Sequence, residues 1–386
     1  MRELFLLEPG LVFLNHGSYG ACPREVFDTF QRWQLEMERN PVEFLGRRSG
    51  TLLAHARSQL GAYLGARAED LAFVANATTA VNTVAQSLAA LLAPGDEVLG
   101  TDHEYGACDA TWQRVCDAAG ASYRRLPVPL PLDEAGFVDL VMAAVTPRTR
   151  VIFTSHITST TALRFPVERL CAAARQRGLI TVIDGAHAPG QVPLDLDALG
   201  ADFYTGNCHK WMCAPKGSAF LHVRPEWQSR LHASVVSWGY VAGDGGHTGF
   251  EAYTGRSLLE RRLQWQGTRD LAAFLTVPAA IDFQQRHAWP ALRERCHAMA
   301  CATMHRVLAR NGLQAIAPDS AYGQMVAIPV RTSQAEALRK HLFEQHRIEV
   351  PVTQHGEQTF VRVSVQAYNT PAELDLLVDA LARLDI

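Results

Sequence analysis

The chain lacks long hydrophobic runs, low-complexity tracts and an excess of charge of either sign. No apolar stretch approaches the ~18 uncharged residues of a membrane-spanning helix, so the sequence predicts no membrane span. Acidic and basic residues are interspersed and the formal net charge is −3, which argues against partners such as nucleic acid or an anionic membrane. With 48% hydrophobic residues over 386 positions, the composition is typical of a globular protein with one large and one smaller core.

The chain also lacks a disulfide framework. Its eight cysteines are scattered through a large chain, which favours reduced thiols and a cytoplasmic location. The opening Met1–Phe5 carries an early acid and shows no signal-peptide cleavage pattern. Cys208 and Cys213 flank His209, but the spacing matches no paired-cysteine motif and no second ligand pair follows. The sequence therefore predicts no metal site.

Short apolar runs alternate with helical patterns through the first two thirds of the chain. This alternation predicts an α/β fold, with a mainly parallel sheet covered by helices on both faces. Ligands of such sheets bind at the carboxyl ends of the strands. The predicted strands lie near 71–75, 96–100, 121–126, 150–155, 179–183, 202–205 and 218–223, and the predicted helices near 25–38, 51–64, 78–92, 106–118, 138–145 and 167–177.

The patterning predicts three parts of the chain. Residues 1–24 look irregular and are expected to contribute to the functional site, and residues 25–289 form the large domain. Residues 290–386 form a smaller α+β domain. Segment 239–257 is rich in glycine and aromatic residues without a period, which predicts a loop over the site or at an interface. Later helices are expected to begin near 270 and 291 and to span 333–345 and 371–384, with strands near 324–330 and 359–365.

Two residues, Asp184 and Lys210, stand where predicted strands end. Asp184 closes the apolar run 179–183, and Lys210 follows the run 201–205. A pyridoxal 5′-phosphate (PLP) site needs this pair, because the lysine forms a Schiff base with the cofactor aldehyde and the carboxylate keeps the pyridine nitrogen protonated. Taken alone, a loop acid and a solvated lysine are the commoner explanation. The remaining motifs make the cofactor site the better interpretation.

Further motifs follow other predicted strands. Thr78 and Thr79 open a helix after the strand at 71–75, and free N–H groups and hydroxyls at a helix N-terminus bind phosphate, although a plain N-cap has the same pattern. Tyr105 follows the next strand and is suited to stack on a cofactor ring or to donate a proton. Arg362 lies in an alternating strand pattern; its planar fork suits a substrate carboxylate, and the alternative is a solvated edge arginine.

Taken in order, these motifs resemble the class V aminotransferase family of fold-type I PLP enzymes, over roughly residues 12–370. The opening segment Phe13–Gly20 is similar, more narrowly, to the isopenicillin N epimerase-like branch, which also contains C–S lyases like the ergothioneine-pathway enzyme. The resemblance implies the PLP-dependent transferase fold. The matching positions are Ala77–Thr79, His103–Tyr105, Asp184–His187, His209–Lys210, Gly267–Thr268 and Arg362.

The resemblance also implies residue roles. Lys210 carries the cofactor and shuttles the Cα proton, Asp184 pairs with the pyridine nitrogen, and Arg362 holds the substrate α-carboxylate. Thr268 reaches the phosphate of the neighbouring subunit, which implies a homodimer with active sites at the interface. The other implied contacts are Thr78, Thr79 and His209 at the phosphate, Asn207 where relatives often have serine, His187 at the ring O3′, His103 or Tyr105 stacked on the ring, and Asn15 and His16 near the amino-acid substrate.

The reaction stays open at this point. β-Elimination needs a base and an acid near the leaving group, which Lys210 and Tyr105 supply. Epimerisation needs a competent group on each face of Cα, and the sequence identifies only one of these firmly. We therefore expect a C–S lyase acting on a cysteine-derived substrate, with an isopenicillin N epimerase-type epimerase or racemase as the alternative. An aminotransferase is less favoured, and so is a cysteine desulfurase, because segment 346–361 contains no cysteine to take up sulfur. A non-catalytic protein is disfavoured because the lysine and the aspartate are both present.

Overall fold

The computed structural model describes residues 1–243 and 245–384, so position 244 of the predicted loop and the last two residues of the predicted C-terminal domain lie outside the described residues. The strands are β1 (Val12–Phe13), β2 (Leu71–Val74), β3 (Glu97–Thr101), β4 (Ser122–Leu126), β5 (Thr149–Ser155), β6 (Ile180–Asp184), β7 (Phe203–Asn207), β8 (Ala219–Val223), β9 (Met325–Val330), β10 (Ile348–Glu349), β11 (Val352–His355) and β12 (Gln358–Ser364).

Helices separate most of these strands. None of the helices in the described residues combines the length and the hydropathy needed to span a membrane. They are α1 (His16–Tyr19), α2 (Arg24–Arg39), α3 (Pro41–Glu43), α4 (Ser49–Leu64), α5 (Ala77–Leu88), α6 (Gly106–Ala119), α7 (Phe137–Ala144), α8 (Val167–Gln176), α9 (Leu196–Leu199), α10 (Pro225–Gln228), α11 (Glu251–Thr254), α12 (Leu258–Leu263), α13 (Ala272–Leu275), α14 (Val277–Arg286), α15 (Trp289–Asn311), α16 (Ala335–His346) and α17 (Pro371–Arg383).

The central sheet of the described chain has the strand order β2-β8-β7-β6-β5-β3-β4. Strand β8 runs antiparallel to both neighbours, and β3 to β7 are mutually parallel. Alternate residues of one strand enter different cores: Phe153 of β5 packs on Trp112 of α6, whereas Ile152 joins the core on the opposite face. Burial on both faces explains the continuous apolar runs and confirms the predicted α/β fold.

A smaller antiparallel sheet, β11-β12-β9, lies towards the C-terminus and packs against α15. Strand β1 pairs with β10, and Asn15 bridges to Ser364, so the N-terminal segment is attached to this part of the chain. The domain boundaries after residues 24 and 289 stay predictions. The first 25 residues are less irregular than expected, since they contain β1 and α1.

The other predicted strands and helices lie close to those observed, and the strand bounds agree within two residues. Strands β1, β10 and β11 were not predicted, because two of them have only two residues and β11 has no buried residue. The helical pattern near position 270 is divided into α13 and α14 at Thr276. The segment 239–257 expected as a loop contains α11 among its turns.

Candidate active site

A cavity of about 360 Å³ opens at the carboxyl ends of the parallel strands. Its volume is within the usual range for small-molecule sites. Because β5, β6 and β7 are neighbours in the sheet, the residues that end them meet at one edge. The cavity brings together seven residues selected from the sequence, namely Thr78, Tyr105, Asp184, His187, Asn207, His209 and Lys210.

Asp184 ends β6 and is buried at the floor of the cavity. Its carboxylate accepts hydrogen bonds from the Ala186 backbone N–H at 2.9 Å and from the Cys108 thiol at 3.6 Å. Burial raises the pKa of Asp184, while the Ala186 N–H and the charge of Lys210 act in the opposite direction. A buried carboxylate with so few donors fits the N–H of a protonated pyridine ring, which would supply both a hydrogen bond and a positive charge.

Lys210 is held as a reactive amine. Its Nζ lies 3.0 Å from His187 Nε2, and the Trp211 indole N–H donates to His187 Nδ1 at 3.3 Å. Because His187 Nδ1 accepts the indole hydrogen bond, the single proton of a neutral His187 ring is on Nε2. The Nε2–H therefore donates to the Lys210 amine. Burial lowers the pKa of His187 well below its usual value and lowers that of Lys210 to about 7, with the Arg362 charge contributing to both. A neutral amine is the form that attacks an aldehyde.

The N-terminus of α5 forms a second region of the cavity. Asn76 caps the helix by accepting from the Thr79 N–H at 2.8 Å, and Asn207 Oδ1 accepts from the Ala77 N–H at 2.9 Å. The Thr79 hydroxyl also bonds to Asn76, at 3.0 Å, so it is directed at the cap, whereas Thr78 lines the cavity. A helix N-terminus with adjacent hydroxyl and amide groups fits the phosphate of PLP.

Arg362 lies directly behind the cavity wall. The residue is 4% exposed. Its guanidinium donates to the Ser18 hydroxyl at 3.0 Å and to the carbonyl and hydroxyl of Ser159, and both serines line the cavity. Burial lowers its pKa to about 10, and among the described residues it forms no ion pair and its Nε has no partner. A buried, uncompensated guanidinium is costly, so its position fits a carboxylate supplied by a ligand.

Tyr105 and His103 face different surroundings. Tyr105 is 48% exposed and lines the cavity. His103 is buried outside the cavity lining, where its ring stacks on His355 at 3.9 Å between centroids and Nδ1 lies 2.8 Å from Thr161 Oγ1. Of the two candidates for stacking on the cofactor, the structure therefore brings only Tyr105 to the cavity.

Other residues selected from the sequence lie behind or away from the cavity. His16 is fully buried, with Nδ1 3.0 Å from the Tyr368 hydroxyl and Nε2 3.0 Å from the Lys210 carbonyl, so it supports the backbone that carries the lysine. Asn15 donates to Glu349 Oε1 at 3.3 Å. The cavity lining of the single chain does not include Asn15, His16, Thr79 or Thr268.

Sequence reasoning did not select six residues with polar side-chain groups that line the cavity, namely Ser18, Tyr19, Asn76, Ser155, Ser159 and Lys216. Ser155 ends β5, so the strand-end argument that selected Asp184 would also have found it. Ser18 and Tyr19 lie in α1, within the opening segment Phe13–Gly20, and Asn76 caps α5, whereas Ser159 and Lys216 lie in turns with no motif of their own.

The fold and the cavity define a PLP-dependent enzyme: a lysine and a carboxylate at the ends of adjacent strands, with a helix N-terminus beside them. The chain belongs to the class-V aminotransferase family, whose model matches residues 12–377. Both the family and the cofactor expected from the sequence are thereby confirmed.

Relatives within this family carry out different reactions. The chain is 42% identical over 390 residues to isopenicillin N epimerase of Amycolatopsis lactamdurans, covering 99% of this chain and 97% of the relative. It is 30% identical over 419 residues to putative L-cysteine desulfhydrase 1 of Oryza sativa subsp. japonica, covering 98% and 84%. Its fold matches a cysteine desulfurase from Thermococcus onnurineus NA1 with TM-score 0.82 at 18% identity, covering 99% and 96%.

Proposed function

We propose that this enzyme epimerises an amino acid at Cα. The observation that carries the proposal is that Lys210 and Tyr105 line one cavity from separate positions along the sheet edge: Lys210 follows β7 and Tyr105 follows β3, with the ends of β6 and β5 between them. Epimerisation needs a proton-transferring group on each side of Cα, and these two residues supply them. The extended similarity to isopenicillin N epimerases, 42% and 40% identical, supports this reaction over elimination.

Each residue has a defined task in this proposal. The bound cofactor withdraws electrons from Cα and so makes its proton acidic. Arg362, oriented by Ser18 and Ser159, binds the substrate α-carboxylate and thereby fixes which side of Cα faces Lys210. The Lys210 amine removes the proton on its side, assisted by the His187 Nε2–H that keeps the amine neutral beforehand.

Tyr105 completes the epimerisation, because its hydroxyl delivers a proton to the side of Cα opposite Lys210. We also assign the Tyr105 ring to stacking on the cofactor. Arg362 lies within electrostatic range of Tyr105. Asp184 holds the cofactor nitrogen throughout.

A homodimer is part of the proposal. Several large apolar side chains around the loop before α11 are exposed, including Val236 at 70%, Trp238 at 52% and Val241 at 60%, and a second copy of the chain would cover them. In such a dimer Thr268 would reach the cofactor phosphate of the neighbouring subunit. The cytoplasmic location stays a prediction.

The second candidate is β-elimination from a cysteine-type substrate. It is supported by the relatives described as L-cysteine desulfhydrases, at 27–30% identity, and it would use Lys210 and Tyr105 as base and acid. A desulfurase is disfavoured because all eight cysteines are buried, so no exposed thiol is available to accept sulfur.

Epimerisation and β-elimination are distinguished by measuring proton exchange at Cα together with the products formed. The holoenzyme is incubated in D₂O with isopenicillin N, a panel of L-amino acids and cysteine S-conjugates, while deuterium at Cα, the enantiomer ratio and pyruvate are measured. Deuterium incorporation with inversion and without pyruvate supports epimerisation, whereas pyruvate release refutes it in favour of elimination.

The role of Tyr105 is tested by Tyr105→Phe, with Tyr19→Phe as the matched control because Tyr19 also lines the cavity. We expect Tyr105→Phe to retain deuterium exchange without inversion, since Lys210 still works from its own side. Tyr19→Phe should leave inversion intact. Equal inversion by Tyr105→Phe and the parent enzyme would rule out Tyr105 as the second proton-transferring group.

A further inference from the structure

Lysine is rare in this chain and concentrated at the cavity. The 36 basic residues comprise 33 arginines and only three lysines, Lys210, Lys216 and Lys340. Two of the three line the same cavity. Lys340 lies on α16, where its ammonium is 3.8 Å from Glu344. Lys210 carries the cofactor, and no task has so far been assigned to Lys216.

The phosphate region has a charge deficit. The cofactor phosphate is a dianion, yet Thr78 and Asn207 offer only neutral donors there. His209 does not balance the charge: burial lowers its pKa to about 4, so its ring is neutral near pH 7. Its Nδ1 lies 3.0 Å from the Ser218 carbonyl, which assigns the ring proton to Nδ1 and leaves Nε2 as an acceptor.

Among the described residues that line the cavity, Lys216 is the one lysine or arginine besides Lys210. Lys216 and Gly217 line the cavity and directly precede in the chain Ser218, whose carbonyl bonds to His209. The charge of Lys216 contributes to lowering the pKa of His209. Within residues 1–243 and 245–384 its ammonium has neither an ion-pair nor a hydrogen-bond partner. The nearby Cys22 and Cys213 thiols are buried, and burial raises the pKa of each, so neither supplies a counter-charge.

We propose that Lys216 is a cofactor-binding residue, whose ammonium pairs with the phosphate of PLP and supplies the positive charge that the neutral donors of Thr78 and Asn207 and the neutral ring of His209 lack. An ammonium is a compact charge on a flexible stem, so it reaches an anion at the cavity edge without the fixed geometry of a guanidinium. The inference concerns cofactor binding and is independent of which reaction follows.

The test compares ligands with and without the phosphate. Apo-enzyme prepared from the holoenzyme is titrated with PLP and with pyridoxal, following tryptophan fluorescence and the visible band. We expect Lys216→Met to raise the Kd for PLP by about 10- to 100-fold, the factor that corresponds to one charge-assisted hydrogen bond. The Kd for pyridoxal should not change, and Lys216→Arg should recover part of the PLP affinity.

Lys340→Met is the matched control, because it removes the only other lysine besides Lys210 and should leave both Kd values unchanged. Three results would overturn the proposal: an unchanged Kd for PLP in Lys216→Met, an equal loss for PLP and pyridoxal, or a higher substrate KM with unaltered PLP affinity. The last result would assign Lys216 to a second anionic group on the substrate. Circular dichroism of each variant identifies any that fail to fold, and in that case Lys216→Gln replaces Lys216→Met in the comparison.

Discussion

Replacing Arg362 should make cofactor capture by Lys210 require a higher pH. Burial lowers the pKa of Lys210 to about 7, and the positive charge of Arg362 contributes to this shift, whereas Asp184 opposes it. Arg362→Met keeps an unbranched apolar chain in the buried position but removes the charge. The protonated form of Lys210 then becomes easier to maintain, so its pKa rises.

The size of the effect follows from the neutral fraction of the amine. With a pKa of about 7, half of Lys210 is neutral at pH 7. An unperturbed lysine, with a pKa of about 10.4, is neutral at that pH in only about 1 molecule in 2,500. The rate of capture should therefore rise about tenfold per pH unit below pH 7 and level off above it, and in Arg362→Met the levelling should occur at a higher pH.

The assay mixes apo-enzyme with PLP in a stopped-flow spectrometer between pH 6 and pH 10 and follows the visible band of the lysine-bound cofactor. Arg339→Met is the matched control, because Arg339 is a surface arginine paired with Glu336 on α16. A parent profile that keeps rising to pH 10 would refute the lowered pKa of Lys210. Coincident profiles for the parent and Arg362→Met would refute the contribution of Arg362.

Three further predictions address the site and the core. Asp184→Asn should still bind PLP but lose about 100-fold or more of Cα deuterium exchange, because an amide cannot stabilise a protonated pyridine nitrogen; unchanged exchange would contradict this role. Trp211→Phe removes the N–H that orients His187, so the capture profile should again move to higher pH, and an unmoved profile would contradict the assigned tautomer. Phe153→Ala should lower the free energy of unfolding by about 3–5 kcal/mol in urea titrations, against less than about 0.5 kcal/mol for the partly exposed Phe343→Ala, and similar losses in both would contradict the packing described.

Strand positions and the meeting of Asp184 with Lys210 at one cavity could be predicted from the sequence for a local reason. Strands buried on both faces need uninterrupted apolar runs, so each run marks a strand and its end. Asp184 and Lys210 are adjacent to such ends, and parallel strands bring their carboxyl ends to one edge. Convergence of these residues therefore follows from chain-local patterns alone.

Other assignments depend on contacts between distant parts of the chain. His103 and Tyr105 are two positions apart in one motif, and only the packing of His103 against His355 shows which of them faces the cavity. Ser18 and Ser159 reach Arg362 across separations of 344 and 203 residues, which no local pattern records.

The sequence by itself determined the α/β class and the PLP family, and it indicated the strand ends at which the lysine and the aspartate stand, because these depend on periodicity and on ordered motifs. The tertiary structure alone decided the protonation states and the supporting residues. Burial sets the pKa values of Lys210, His187 and His209, and burial arises only when segments far apart in the chain pack together. For the same reason the place of Lys216 at the cavity became visible only in the folded chain.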